Sequence, residues 1–128
     1  MQTLILYGIS SCNTVKKARD WLLANGIAYD FVDFKKQGVS EALLKTWLSQ
    51  FPHEKLINRA GLTWRGLDDA SKANIIDNAS AITLMQAKTS VIKRPILIKN
   101  GKIVCLGFDE ASYTKLLSDK DLFKWAKH

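Results

Sequence analysis

The chain has 128 residues, 47% of them hydrophobic and 24% charged, with a formal charge of +7. That length suits one domain able to bury most of the apolar surface of its unfolded form, and the composition excludes wholesale disorder. A basic surface favours anions, but no Lys/Arg block is interleaved with aromatics, so nucleic acid is not expected as a partner. No apolar run reaches the ~18 residues of a membrane span, and Met1-Gln2-Thr3-Leu4 has no leader pattern, so no membrane is expected and the expected compartment is the cytoplasm. The two cysteines, Cys12 and Cys105, stand far apart and in no metal-ligand spacing. Neither a metal site nor a disulfide scaffold is expected, which suits a reducing compartment.

In chain order, the apolar run Leu4-Ile5-Leu6-Tyr7-Gly8 reads as a strand that stops at a polar turn carrying Cys12. Val15, Ala18 and Leu22 then recur at helical spacing with Trp21 on an adjoining face, and Gly26 ends a helix expected over about Asn13–Asn25. Ile27 to Phe34 reads as a second strand, parallel to the first because a full crossover joins them. Lys35-Lys36-Gln37-Gly38 is a polar break, and Ser40 is a helix N-cap with Glu41 behind it. Leu44, Trp47, Leu48 and Phe51 form an apolar stripe closed by Pro52, with Trp47 assigned to the core. A polar, basic connection from Asn58 to Leu67 leads to two short helices, the first capped by Asp68 or Asp69 and the second by Ser80, with Ala81, Leu84, Met85 and Lys88 on one face.

Strand character returns in Pro95–Lys99 and Lys102–Leu106, antiparallel about the hairpin turn Asn100-Gly101. Pro95 opens its strand, the place where a strand tolerates proline. Asp109 caps a last helix through Tyr113, Leu116 and Leu117, and the charged segment from Ser118 to His128 is either a short docked helix or a frayed tail. The assembled pattern is α/β: a four-stranded mixed sheet with a helical insertion over about residues 38–88, in one domain over residues 1–117.

Chemistry points to Cys12. The unpaired N–H groups at a helix start and the helix dipole favour negative charge there, and a thiol in that position ionises more easily. Lys16, Lys17 and Arg19 either add to this field or point to solvent. Buried cysteines usually act as small hydrophobes, but Ser10, Ser11, Asn13 and Thr14 are turn and cap residues that favour the surface. Cys12 is therefore read as a nucleophile. Cys105, in a strand that looks apolar on both faces, is read as structural.

Tyr7-Gly8-Ile9-Ser10-Ser11-Cys12-Asn13-Thr14, Asn58-Arg59, Thr63-Trp64-Arg65, Ile92-Lys93-Arg94-Pro95-Ile96 and Leu106-Gly107-Phe108 together resemble the arsenate reductase (ArsC) family, and within it the YffB-like branch. The resemblance implies a thioredoxin-like fold with a helical insertion, a nucleophile at Cys12, oxyanion-holding arginines at Arg59 and Arg94, and a cis proline at Pro95 facing the cysteine. Lys93 and Arg65 are further positive groups for an anion or thiol substrate, while Ser11, Asn13, Thr14 and Pro95 shape the site. The chain departs from arsenate-reducing members at Gly8, where they carry histidine, and around Gly107, where they carry a third arginine.

The related Spx regulators pair two cysteines with two residues between them, and here the second position is Val15. A resolving thiol must then come from elsewhere, with glutathione or a glutaredoxin-like reductant as the expected co-substrate and no bound cofactor. The expected function is a glutathione-dependent reductase of a small oxyanion or thiol substrate. A Spx-like module that binds a protein such as RNA polymerase, and a true arsenate reductase, are the alternatives.

Overall fold

The computed structural model describes residues 3–117. Strand β1 (Leu4–Gly8) lies inside a four-stranded sheet of order β2-β1-β3-β4, where β2 is Asp30–Asp33, β3 is Ile96–Lys99 and β4 is Lys102–Leu106. Its alternate residues Leu4, Leu6 and Gly8 are buried, as a period of two requires. β2 runs parallel to β1 with Gly8 opposite Asp33, whereas β3 is antiparallel to both β1 and β4. The tight β3–β4 connection is possible because Asn100 and Gly101 both take positive φ, 52° and 82°.

Two compact units divide the chain: one is formed by the chain up to Asp33 and from Arg94 onward, the other by Phe34–Lys93. In the first, α1 (Asn13–Ala24) buries Val15, Ala18 and Leu22. Ala18 and Leu22 join Leu4, Leu6, Ile27, Leu97, Tyr113 and Leu117 in one apolar cluster. Helix α8 (Glu110–Leu116) supplies Tyr113 and starts at Asp109, whose carboxylate accepts the Ser112 N–H at 2.9 Å. The expected cap at Asp109 is observed.

The second unit contains α2 (Phe34–Gln37), α3 (Glu41–Gln50), α4 (His53–Leu56), α5 (Leu62–Arg65), α6 (Asp69–Ala73), α7 (Asn78–Ala87) and a 3₁₀ turn, Thr89–Val91. Ser40 caps α3 by accepting the Leu43 N–H, and Leu44, Trp47 and Leu48 are buried. Gln86 Nε2 on α7 donates to the Val39 carbonyl at 2.9 Å, just before α3.

Several expectations are corrected. The second strand covers only Asp30–Asp33: Ile27 is buried as the apolar residue after the Gly26 stop of α1, where φ is +67°, and Phe34 is buried at the start of α2. The polar break at Lys35–Gln37 is that single helical turn. Phe51 is the extended C-cap of α3 and only half-buried, so it leaves the stripe. Asp68 caps α6.

Ser80 is not the cap of α7. Asp77 accepts the Ser80 N–H, and Ser80 Oγ accepts the Asp77 N–H in return, a reciprocal box with serine in the place usually held by Glu or Gln. The buried residues of α7 are Ala81, Ile82 and Met85; Leu84 is half-buried and Lys88 is the C-cap. The connection before α6 is also more helical than its polarity implies, since it forms α5, while α4 lies just ahead of it. The expectation for residues 118–128 falls outside the described residues. The architecture is the α/β, thioredoxin-like arrangement expected: a mixed four-stranded sheet interrupted by a run of helices.

Candidate active site

The end of β1 and the start of α1 come unusually close. A Cβ built on Gly8 would lie 2.7 Å from Cγ2 of Val15 and 3.0 Å from Cγ1, so the approach needs glycine. Between them the chain turns through Ile9, Ser10 and Ser11, and the Cys12 N–H donates to the Ile9 carbonyl at 3.0 Å. Cys12 is the extended N-cap of α1, and its carbonyl accepts the Lys16 N–H at 3.0 Å. Its side chain is half-buried, while Ser10, Ser11, Asn13 and Thr14 are exposed.

Partial burial of Cys12 would by itself push the thiol up. The Val15 amide, the Arg94 guanidinium and the Thr14 amide together outweigh that, and hold the thiol below its ordinary value. As a neutral thiol the side chain makes no capping hydrogen bond in the strict sense. The amides of Thr14 and Val15 act as dipoles that strengthen once the thiolate forms, whereas Arg94 contributes both a hydrogen bond and charge. Arg94 reaches this place because it immediately precedes Pro95 at the head of β3. The Arg94–Pro95 bond is cis and Pro95 is buried, with its carbonyl accepting the Gly107 N–H at 2.8 Å.

Two of the basic residues of α1, Lys16 and Arg19, are engaged elsewhere. Lys16 pairs with Asp20 at 2.8 Å on the surface, and Arg19 donates from Nε to Tyr29 Oη at 3.2 Å while its guanidinium lies 4.0 Å from the Phe31 ring centre. With Ser10, Asp20, Leu23 and Tyr29, Lys16 and Arg19 line a separate cleft of about 350 Å³. Arg94 supplies the positive charge acting on the sulfur.

The second thiol contrasts with the first. Cys105 lies in β4 with Sγ 3.4 Å from the Gly107 carbonyl, and burial, then the Asp109 carboxylate, pushes it up. Nearby, Tyr113 packs edge-on against Trp21 and Phe108, and burial raises its phenol far above the ordinary value.

Of the remaining candidates, Arg59, Arg65 and Lys93 belong to the second unit. The exposed Arg59 guanidinium sits 5.0 Å from the ring centre of Trp64, a buried residue of α5. Arg65 is exposed at the end of α5, and the Lys93 backbone donates to the Leu56 carbonyl at 2.7 Å. Sequence reasoning missed Asp33, a buried carboxylate that accepts the Ser10 N–H at 3.0 Å. Its one sequence signal is a charge at the tip of an aromatic and β-branched strand. Among the described residues no group of three or more His, Cys, Asp or Glu side chains could hold a metal, and no helix is long and apolar enough to cross a membrane.

A model of the ArsC family matches residues 7–116. The chain belongs to the ArsC family. A solved structure of a protein named YffB is 44% identical, superposes with a TM-score of 0.83, and is matched over 91% of this chain and 100% of its own. An uncharacterized protein of Haemophilus influenzae is 36% identical over 110 residues, covering 86% of this chain and 95% of the relative. The regulatory protein MgsR of Bacillus subtilis is 25% identical, with 98% of each chain covered. Both the family and its YffB-like branch agree with the resemblance carried by the short motifs.

Proposed function

We propose that this ArsC-family protein is a thiol-dependent reductase in which Cys12 is the nucleophile and glutathione the reducing co-substrate. The observation that carries this reading is the combination at Cys12 of two helix-start amides and the Arg94 guanidinium, which hold the thiol below its ordinary value. On a disulfide substrate, the Cys12 thiolate attacks one sulfur, the S–S bond breaks, and the departing thiolate takes a proton. Glutathione then attacks the Cys12 mixed disulfide, regenerates the Cys12 thiolate and leaves with the substrate sulfur as a second disulfide, which further glutathione reduces.

Arg94 holds negative charge on the substrate in this reading, since guanidinium groups match oxyanions by fork-like hydrogen bonding. Ser11, Asn13, Thr14 and Pro95, in the same unit as Cys12, shape the surroundings of the sulfur in this reading. An external reductant is favoured because position 15, where a second cysteine of a C-x-x-C pair would stand, is a fully buried valine, and because Cys105 is pushed up. In a glutathione-coupled assay with a small disulfide, and with arsenate in parallel, Cys12→Ser is expected to reduce turnover to background while the melting temperature stays near that of the parent. Unchanged turnover removes the reading, and turnover only with arsenate replaces it with arsenate reduction.

The match to the regulatory protein MgsR favours one second reading, a regulatory module without turnover; the Spx-like resemblance makes RNA polymerase the partner to test. Capture of RNA polymerase by parent and Cys12→Ser protein alike, with no reductase activity in either, would select it.

A further inference from the structure

Asp33 is the one charged side chain found buried among the described residues, 7% exposed. Burying a carboxylate is costly unless hydrogen bonds compensate. Asp33 closes β2 directly opposite Gly8, so the parallel register sets its carboxylate at the sheet end from which the Cys12 turn departs. From there Oδ2 accepts the Ser10 N–H at 3.0 Å, across 23 positions of sequence. Ser10 itself is exposed, so this is a turn amide tied to a neighbouring strand rather than closed on itself. The next link, Cys12 N–H to the Ile9 carbonyl, completes the path from the carboxylate to the cysteine.

We propose that Asp33 is a positioning residue for Cys12: its carboxylate clamps the Ser10 amide and holds the Ile9–Cys12 turn in the shape that brings the sulfur onto the α1 N-terminus and Arg94. The inference rests on Cys12 being the reactive thiol. Asp33 works through the turn and not through its charge, because a negative charge felt at the sulfur would oppose a thiolate. The groups that do act on the sulfur are Arg94 and the Thr14 and Val15 amides; Lys16 of α1 is paired with Asp20.

The experiment is the pH dependence of Cys12 alkylation in parent, Asp33→Asn and Asp33→Ala proteins, with modified sites mapped by mass spectrometry and Cys105 as the internal comparison. Asp33→Asn keeps an oxygen acceptor and is expected to retain the parent profile. Asp33→Ala removes it and is expected to raise the apparent pKa of Cys12 by about one pH unit, a roughly tenfold loss of thiolate below that pKa. An Asp33→Ala profile that superimposes on the parent overturns the proposal, as does an equal rise in Asp33→Asn.

Should Asp33→Ala not fold, amide exchange in the parent protein decides. Protection of the Ser10 N–H supports the clamp, and exchange at the open-chain rate overturns it. A parent Cys12 that titrates like an ordinary thiol removes the reading of Cys12 and this proposal with it. A low parent pKa left in place by Asp33→Ala removes this proposal alone.

Discussion

The two cysteines sit in the same unit, both half-buried, and are pushed in opposite directions. At Cys12 the chain leaves a strand and enters a helix, so backbone amides lie unpaired beside the sulfur and Arg94 reaches it. At Cys105 the strand is paired, the sulfur lies by a carbonyl, and the charge that acts on it is a carboxylate. Burial raises both thiols; what differs is the sign of the dipoles and charges around them. Partial exposure does not set the direction in which a thiol is pushed; the dipoles and charges around it do.

The comparison breaks most severely if α1 is moved off the end of β1. Gly8→Ala places a methyl against both γ carbons of Val15, a residue with no space to yield. Overpacking of this kind costs about 1–3 kcal/mol. The expected result is a lowered melting temperature and slower Cys12 alkylation, with Cys105 unaffected. Val15→Ala in the same chain removes the clashing carbons, so the double variant should be more stable than the sum of the single effects, by a coupling of about 0.5–3 kcal/mol. Additive effects would show that the close approach constrains nothing. The same geometry leaves no room for a larger side chain at position 8: a histidine there would need the volume that Val15 occupies.

A gentler perturbation leaves the helix in place and removes the charge. Arg94→Gln is expected to raise the apparent pKa of Cys12 toward the ~8.5 of a free thiol, and every rise of about one pH unit leaves roughly a tenth as much thiolate below the pKa. The Thr14 and Val15 amides remain to oppose the upward push of burial. Alkylation rate against pH measures the balance. A Cys12 that stays below the ordinary thiol value in Arg94→Gln would mean that the Thr14 and Val15 amides alone outweigh burial, and one at or above it that they do not; an unmoved pKa would mean that Arg94 does not reach the sulfur in solution.

What the sequence discloses follows the range of the interaction. The turn at Cys12, the caps at Ser40 and Asp109 and the Asn100-Gly101 hairpin depend on residues a few positions apart, so periodicity and cap chemistry suffice to read them. The box at Asp77 and Ser80 misleads by three residues because serine stands where Glu or Gln is usual. Phe34 resembles more strand because its aromatic ring fits either element. By contrast Arg94 meets Cys12 across most of the chain, and only the family resemblance points to it. Asp33 opposite Gly8, and Val15 against Gly8, are products of register and packing, which no local pattern encodes.

The smallest expected effect is also a sharp test of sign. A thiol whose folded pKa is lowered contributes stability that is fully present above its unfolded value and is lost as pH falls through the folded value; Cys12 is of this kind. For Cys105 the folded value is raised, by burial and then Asp109, so as pH rises the unfolded chain ionises first. Its contribution is present below the ordinary thiol range and lost as pH climbs through it. Melting temperatures of parent, Cys12→Ser and Cys105→Ser proteins across the ~8.5 of a free thiol should therefore give two different difference curves. The parent-minus-Cys12→Ser curve climbs with pH and levels off near that value, while the parent-minus-Cys105→Ser curve is level below it and falls above. Parallel curves would mean that both sulfurs feel the same surroundings, and the opposition between helix start and paired strand would be lost.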